Sequence, residues 1–172
     1  MNTIVKASTE AEAVIISLLG RVTFTETFGH LFSDKNDLLE YTERTFNVKK
    51  IKNSLKNPNN VYWLAYVNDL PVGYAKLKLD SPSEFLDKDN VCQLQKIYVL
   101  QDFLSQKVGF SLQDALLKEA KLMDRAYVWL SVLQENERAI RFYLKNGFDL
   151  VGKHGFQIGK EHFNFQAMAK RL

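Results

Sequence analysis

The sequence predicts an α/β fold, of the α+β kind, in which helices flank a central mixed sheet. Apolar residues at helical spacing fill the first third of the chain. A period of two replaces that spacing at Val61, and the later strands and helices follow each other without strict alternation. A mixed sheet with helices packed on it buries the apolar faces of both kinds of element. Because no repeat, low-complexity tract or linker interrupts the chain, we assign residues 1–172 to a single domain.

The N-terminal third predicts one short strand followed by two or three helices. Ile4 and Val5 form the strand, and Ser8 or Thr9 can cap the first helix, whose first turn carries acidic residues. The apolar spacing of this helix continues until the pattern breaks near Ser33. Two further helical regions are predicted, at Asp37–Phe46 and Val48–Leu55.

The rest of the chain predicts three strands, a helix, a strand, a second helix and a closing hairpin. Asn68-Asp69 is typical of a hairpin turn, and Gly159-Lys160 supplies the turn of the closing hairpin. The predicted strands are Val61–Val67, Val72–Leu79, Val91–Leu100, Tyr127–Val132, Phe148–Ile158 and Glu161–Met168. The predicted helices are Val108–Met123 and Glu135–Lys145, and Leu79–Asn90 is predicted to be a loop.

Composition and charge argue against several classes of function. The net charge is +3, from 23 basic and 20 acidic residues, and no dense basic stripe is present, so we expect no nucleic-acid partner. The single cysteine, Cys92, excludes an internal disulfide and a cysteine-rich metal site, and we expect it to be structural. The spacing of the histidines indicates no metal site either. We expect no signal peptide, no membrane-spanning segment and a cytoplasmic location.

The chemistry is predicted from Leu130–Phe148, whose pattern is that of a strand, a turn, a helix and the start of another strand. Asn136 can cap the helix or lie in its first turn, and Gly147 is placed as its left-handed C-terminal stop. Asn136 and Tyr143 are seven residues apart and therefore share a helix face, with the small Ala139 between them. By spacing alone, this segment is an amphipathic helix whose aromatic pair packs on a sheet.

The same segment carries the pattern N-x-x-A-x-x-F-Y-x-x-x-G-F, which resembles a signature of the GNAT N-acetyltransferases. All the marked positions are present: Asn136, Ala139, Phe142, Tyr143, Gly147 and Phe148. Leu94–Val99 resembles the central strand of that family. Segments at 23–31, 71–77 and 127–130 resemble bacterial PaiA-type spermidine/spermine N-acetyltransferases, and the resemblance covers nearly all of the 172 residues.

The resemblance implies a partly splayed sheet that binds acetyl-CoA, as a cosubstrate, between two parallel strands. In this chain those strands are Val91–Leu100 and Tyr127–Val132. Backbone groups of Ile97 and Val99 would pair with the pantetheine arm as an added strand does, and Asn136 would contact the same arm.

The resemblance also implies that the acceptor amine attacks the thioester carbonyl directly and that Tyr143 protonates the leaving thiolate. Many relatives carry a general-base glutamate on the central strand, but Gln93 and Gln95 stand there in this chain. An amide cannot take up the proton. A water relay, another carboxylate such as Glu26, and an acceptor that arrives as a neutral amine remain alternatives.

The turn that would hold the pyrophosphate of acetyl-CoA departs from the family pattern Q/R-x-x-G-x-G/A. A placement at Gln106–Ser111 needs two extra residues, whereas an ungapped placement puts Leu104, Lys107 and Gly109 at the marked positions and keeps both flanks in register. We prefer the ungapped placement, in which backbone N–H groups bind the phosphates. It assigns cofactor binding to Ser105, Gln106, Lys107, Val108, Gly109 and Phe110. Lys107 would then either contact a phosphate or be a solvated residue at the helix start.

The acceptor pocket is expected near Glu26, His30 and Tyr41 in the N-terminal helices. A carboxylate and an aromatic face there would suit a cationic polyamine, and the alternative is that these are surface-helix residues. Three functions remain open: acetylation of a small primary amine such as a polyamine, acetylation of a protein N-terminus or lysine, and a catalytically weak CoA-binding regulatory module. A homodimer is expected from the family resemblance.

Overall fold

The computed structural model describes residues 3–172 as a seven-stranded mixed sheet with helices on both of its faces. The strand order is β1-β2-β3-β4-β5-β7-β6, and β4 and β5 form its parallel pair. The strands are Thr3–Ala7 (β1), Asn60–Val67 (β2), Leu70–Lys78 (β3), Val91–Val99 (β4), Tyr127–Leu133 (β5), Asp149–Ile158 (β6) and Glu161–Arg171 (β7). The helices are Ala13–Phe28 (α1), Lys35–Thr45 (α2), Val48–Lys56 (α3), Val108–Leu122 (α4) and Glu137–Lys145 (α5). The predicted fold class is confirmed.

Side-chain caps set where the first helices begin. Thr9 and Glu12 form a capping box around a 3-10 turn at Glu10–Glu12, and α1 starts only after that turn, later than the sequence predicts. Asp34 caps α2 and Asn47 caps α3 by accepting hydrogen bonds from main-chain N–H groups. The remaining predicted elements lie close to the observed bounds because such local signals mark their ends.

Successive side chains of β2 point to opposite faces of the sheet and pack into two different core clusters. Trp63 and Ala65 belong to the cluster that packs against α4, whereas Tyr62 and Leu64 belong to the cluster that packs against α1 and α3. Because both faces are covered, β2 is buried along most of its length, which explains why apolar residues occupy both of its registers. The Asn68-Asp69 turn to β3 has positive φ at both residues, as a tight hairpin requires.

A third cluster, rich in phenylalanine, joins α1 and α2 to the hairpin formed by β6 and β7. The tip of that hairpin is fixed to the start of α2. The Lys160 Nζ donates to Asp34 Oδ2 at 2.8 Å, and the Ser33 N–H donates to Glu161 Oε1 at 2.9 Å. These contacts hold the hairpin beside the first helices, so that the two together enclose one end of the sheet. Within residues 3–172, none of the helices combines the length and the apolar character that crossing a membrane requires.

Candidate active site

The β4 and β5 strands begin as a parallel pair and then diverge. Their pairing joins Val91–Gln93 to Tyr127–Trp129, and beyond that point β4 pairs with β3 while β5 pairs with β7. A cavity of about 890 Å³ opens where the strands separate, with walls from α1, α2, β4, α4, β5, α5 and the β6–β7 hairpin. The main-chain groups of β4 that face this gap have no strand partner among residues 3–172, so an extended ligand can pair with them.

A β-bulge shapes β4 beside the cavity. The register of β3 against β4 shifts between Lys76 and Leu77, which leaves Gln95 as an extra residue on β4. Such a bulge bends the strand and increases its twist. Beyond it, Ile97 and Val99 line the cavity, at the positions where the predicted pairing with the pantetheine arm would occur.

One face of α5 points into the cavity. Asn136 is the N-cap of α5, and its Oδ1 accepts a hydrogen bond from the Ala139 N–H at 3.1 Å. Asn136, Ala139 and Tyr143 all line the cavity, as expected for residues on a shared helix face. The Tyr143 ring packs edge-on against Phe148, with their centres 5.5 Å apart. Gly147 has φ +80° and ends α5, which confirms its predicted left-handed conformation.

The turn before α4 has the form of an anion site. Lys107 is the N-cap residue of α4 and adopts the left-handed conformation, with φ 61° and ψ 12°. This is the position where the ungapped placement expects glycine. The Ser111 N–H donates to the Lys107 carbonyl at 3.0 Å, so the N–H groups of the three residues between them precede the first helical hydrogen bond. A Cβ added at Gly109 would meet no protein atom within 4 Å, which leaves room for a ligand to approach the backbone.

The residues of this turn contribute in different ways. Those that line the cavity are Ser105, Lys107, Gly109 and Phe110. The Val108 side chain is instead fully buried in the core beneath α4, so only its backbone faces the turn. The Gln106 amide donates to the Asp102 carbonyl at 3.4 Å and stabilises the preceding turn.

Replacing Lys107 with glycine is expected to separate backbone strain from charge. Glycine adopts the left-handed conformation without the cost of about 1 kcal/mol, so the free energy of unfolding should rise by up to about 1 kcal/mol. Acetyl-CoA affinity should fall about fivefold, the effect of losing one solvent-exposed charge pair of about 1 kcal/mol. Thermal denaturation and calorimetric titration measure the two effects. Lys107→Arg is the control that keeps the charge, and an affinity unchanged in Lys107→Gly would mean that the ammonium group stays in solvent.

The wall of the cavity formed by α1 and α2 contains two of the three predicted acceptor residues. Glu26 and Tyr41 line it, whereas His30 lies in a smaller neighbouring pocket. Glu26 Oε2 accepts a hydrogen bond from the Gln101 N–H at 3.0 Å, so this carboxylate already has a partner. Aromatic rings make up much of this end of the cavity: Phe24, Phe28, Phe156, Phe163 and Phe165.

Lys96, on β4, also lines the cavity next to this wall. It was not identified from the sequence as a site residue, although a lysine within an apolar strand was a signal for it. Its Nζ lies 5.2 Å from the ring centre of Phe46 and 5.1 Å from that of Tyr98. Burial lowers the pKa of Lys96, and the nearby Tyr41 opposes that shift. Its cross-strand neighbour Lys76 has a pKa lowered to about 8, first by burial and then by the charge of Lys96.

A serine–histidine pair at the cavity was also missed. Ser131 lines the cavity, and its Oγ lies 2.8 Å from His154 Nε2. The His154 ring is stacked between Phe165, with ring centres 5.2 Å apart, and Phe85, at 5.8 Å. Only the pairing of β5 with β7 and of β7 with β6 brings the two residues together, so no local pattern in the sequence could reveal the pair.

A sheet that splays between two parallel strands over a large cavity, with an open helix N-terminus beside it, is the architecture of an acetyl-CoA-dependent acetyltransferase. A model of the acetyltransferase (GNAT) family matches residues 24–148. The chain therefore belongs to the GNAT family, as the resemblance predicted. It is an N-acetyltransferase that uses acetyl-CoA as its cosubstrate and an amine as its acceptor.

Relatives named as N-acetyltransferases match most of the chain. An uncharacterised N-acetyltransferase of Lactobacillus delbrueckii subsp. lactis is 26% identical over 143 residues, covering 83% of this chain and 82% of the relative. One of Mycobacterium tuberculosis is 31% identical over 118 residues, covering 69% and 71%.

Solved structures show the same fold at lower identity. PaiA N-acetyltransferase of Thermoplasma acidophilum, in complex with coenzyme A, is similar over all of both chains, with a TM-score of 0.79 and 18% identity. Ribosomal-protein-S18-alanine N-acetyltransferase of Escherichia coli has a TM-score of 0.72 and 15% identity, over 99% of this chain and 94% of that one. At these identities the similarity concerns the fold alone.

Proposed function

We propose that the cavity is the active site and that its two sides take the two substrates of an acetyl transfer to a small primary amine. Acetyl-CoA would lie in the gap between β4 and β5, with the backbone of Ile97 and Val99 on the pantetheine arm and Asn136 beside it. The first turn of α4 would hold the pyrophosphate through its N–H groups. The amine would enter from the wall formed by α1 and α2. The observation that carries this proposal is the parallel pair that opens over a cavity lined by Tyr143.

The transfer needs one proton donor, and Tyr143 is suited to that role. The amine nitrogen attacks the thioester carbonyl, the carbon–sulfur bond breaks, and the Tyr143 hydroxyl protonates the departing thiolate; the phenolate then regains a proton from solvent. Burial raises the pKa of Tyr143 well above its ordinary value, and the nearby Tyr98 adds to that shift. The phenol therefore stays protonated and able to donate throughout the neutral pH range.

The proton that the attacking nitrogen loses needs an acceptor unless the amine arrives neutral. Glu26 lines the cavity, but its carboxylate already accepts the Gln101 N–H. The pair of Ser131 and His154 is the better placed base: the Ser131 hydroxyl lines the cavity, and His154 Nε2 accepts from it in the tautomer with hydrogen on Nδ1. We favour this pair over a direct role of Glu26.

Two acceptor classes follow from the comparisons. The likeness in fold to a PaiA N-acetyltransferase raises a polyamine as one candidate acceptor, and the likeness to a ribosomal-protein-alanine N-acetyltransferase raises a protein N-terminus as another. A catalytically weak CoA-binding regulatory module is disfavoured because Tyr143, the candidate acid, lines the cavity. The single domain over residues 1–172, the homodimer and the cytoplasmic location stay predictions.

Two measurements test the proposal. Calorimetric titration with acetyl-CoA should give saturable binding, and a thiol-release assay should show acetyl-CoA turnover that depends on an added amine. The acceptor panel should contain polyamines, amino acids and their amides, and short peptides. Turnover only with peptides would replace the small amine by a protein acceptor. Binding without turnover on any acceptor would overturn catalysis in favour of the regulatory module.

A further inference from the structure

The Lys96 amino group lies at the cavity without a carboxylate paired to it among residues 3–172. Lys96 lies on β4 and lines the cavity next to the wall formed by α1 and α2, and none of the ion pairs among residues 3–172 involves it. A lysine in such a place is normally paired, because removing its charge from water costs several kcal/mol. The rings of Phe46 and Tyr98, each about 5 Å from its Nζ, stabilise the ammonium only in part.

The neighbours of Lys96 leave its charge uncompensated. Lys76 lies directly across from it on β3 and adds a second positive charge on the neighbouring strand. Glu26 is the one carboxylate among the described residues that line the cavity; it accepts the Gln101 N–H and forms no ion pair with Lys96. Lys96 therefore offers an unpaired ammonium group to a ligand at the acceptor end of the cavity, within a wall of aromatic rings.

We propose that the acceptor carries a carboxylate as well as its primary amine, and that Lys96 binds this carboxylate in the active site. This inference rests on the proposed function and deepens it. A compact ammonium group matches a single negative charge, and the aromatic wall formed by Phe24, Phe28 and Phe163 suits an apolar body between amine and acid. Apolar amino acids and ω-amino acids are the chemical class that fits. A polyamine would place further positive charges beside Lys96 and would be repelled.

The test uses two matched acceptor series in the thiol-release assay. One is phenylalanine, phenylalaninamide and 2-phenylethylamine, and the other is 4-aminobutanoate, butylamine and 1,4-diaminobutane, with spermidine added. In at least one series the compound that carries a carboxylate should have the highest kcat/KM. In the second series, 1,4-diaminobutane and spermidine should have the lowest kcat/KM. If the amines without a carboxylate, or spermidine, are turned over as well as the carboxylates or better, the inference is overturned and acetyl transfer to amines still stands. Loss of turnover with every amine and peptide overturns the proposed function itself.

Variants at Lys96 separate its charge from the intrinsic reactivity of each amine. Lys96→Met keeps length and apolar contact, and it should lower kcat/KM for the carboxylates about 10- to 100-fold, as loss of one charge-assisted hydrogen bond does. Butylamine and 2-phenylethylamine should change little, and 1,4-diaminobutane should improve. Lys96→Arg should keep the preference, and Lys49→Met, on the exposed surface of α3, is the control. A preference for carboxylates that persists in Lys96→Met contradicts the role of this side chain, whatever the stability of the variant.

Discussion

Replacing Tyr143 with phenylalanine is expected to lower kcat by about 10²- to 10⁴-fold, the range typical for loss of a positioned acid. The change removes one oxygen atom and keeps the ring that packs against Phe142 and Phe148. The fold should therefore persist, and acetyl-CoA should bind with nearly its original affinity. Steady-state thiol release gives kcat, and calorimetric titration gives the dissociation constant of acetyl-CoA.

A matched control and the pH profile sharpen this prediction. Tyr66→Phe, on β2 outside the cavity, should leave kcat unchanged. Because burial raises the pKa of Tyr143, its phenol does not ionise near neutral pH, so kcat should not fall on the alkaline side for that reason. A rise of kcat/KM with pH should instead report deprotonation of the acceptor or of the base. A Tyr143→Phe enzyme with unchanged kcat would remove Tyr143 from the mechanism.

The α5 helix could be predicted in detail because its signals are local. Asn136 caps α5, and Gly147 ends it in the left-handed conformation, each through hydrogen bonds within a few residues. The seven-residue spacing from Asn136 to Tyr143 is sufficient to place both on the face that lines the cavity. The same reasoning located most strands and helices, because caps and turn residues mark their ends.

The groups that were missed depend on contacts between distant segments. Lys96 became recognisable as a cavity residue only once the bulge at Gln95 and the rings of Phe46 and Tyr98 were in place. The sequence placed His30 with Glu26 in the acceptor pocket, but the 3-10 turn that follows α1 puts His30 into a neighbouring pocket. Periodicity predicts which residues share a face, and it does not predict what the opposite wall contributes.

Replacing Gly109 with valine is expected to weaken acetyl-CoA binding about 10- to 100-fold without destabilising the protein. An added Cβ meets no protein atom within 4 Å, and valine has a better helix propensity than glycine, so the melting temperature should stay equal or rise. The new methyl groups would instead occupy the space through which a phosphate approaches the N–H groups of the first turn of α4. Losing one charge-assisted hydrogen bond of about 1.5–3 kcal/mol accounts for this range.

The Gly109 prediction is decisive because acetyl-CoA affinity should fall while the stability of the protein stays equal or rises. Gly109→Ala provides a smaller step, for which the loss of affinity should lie between the wild type and Gly109→Val. Differential scanning fluorimetry without ligand measures stability, and calorimetric titration with acetyl-CoA measures affinity. Unchanged affinity in Gly109→Val would place the pyrophosphate away from the α4 turn, because the valine methyl groups would crowd a phosphate held by the backbone there. A reduced affinity with an unchanged or higher melting temperature supports phosphate binding at the first turn of α4, beside Gly109.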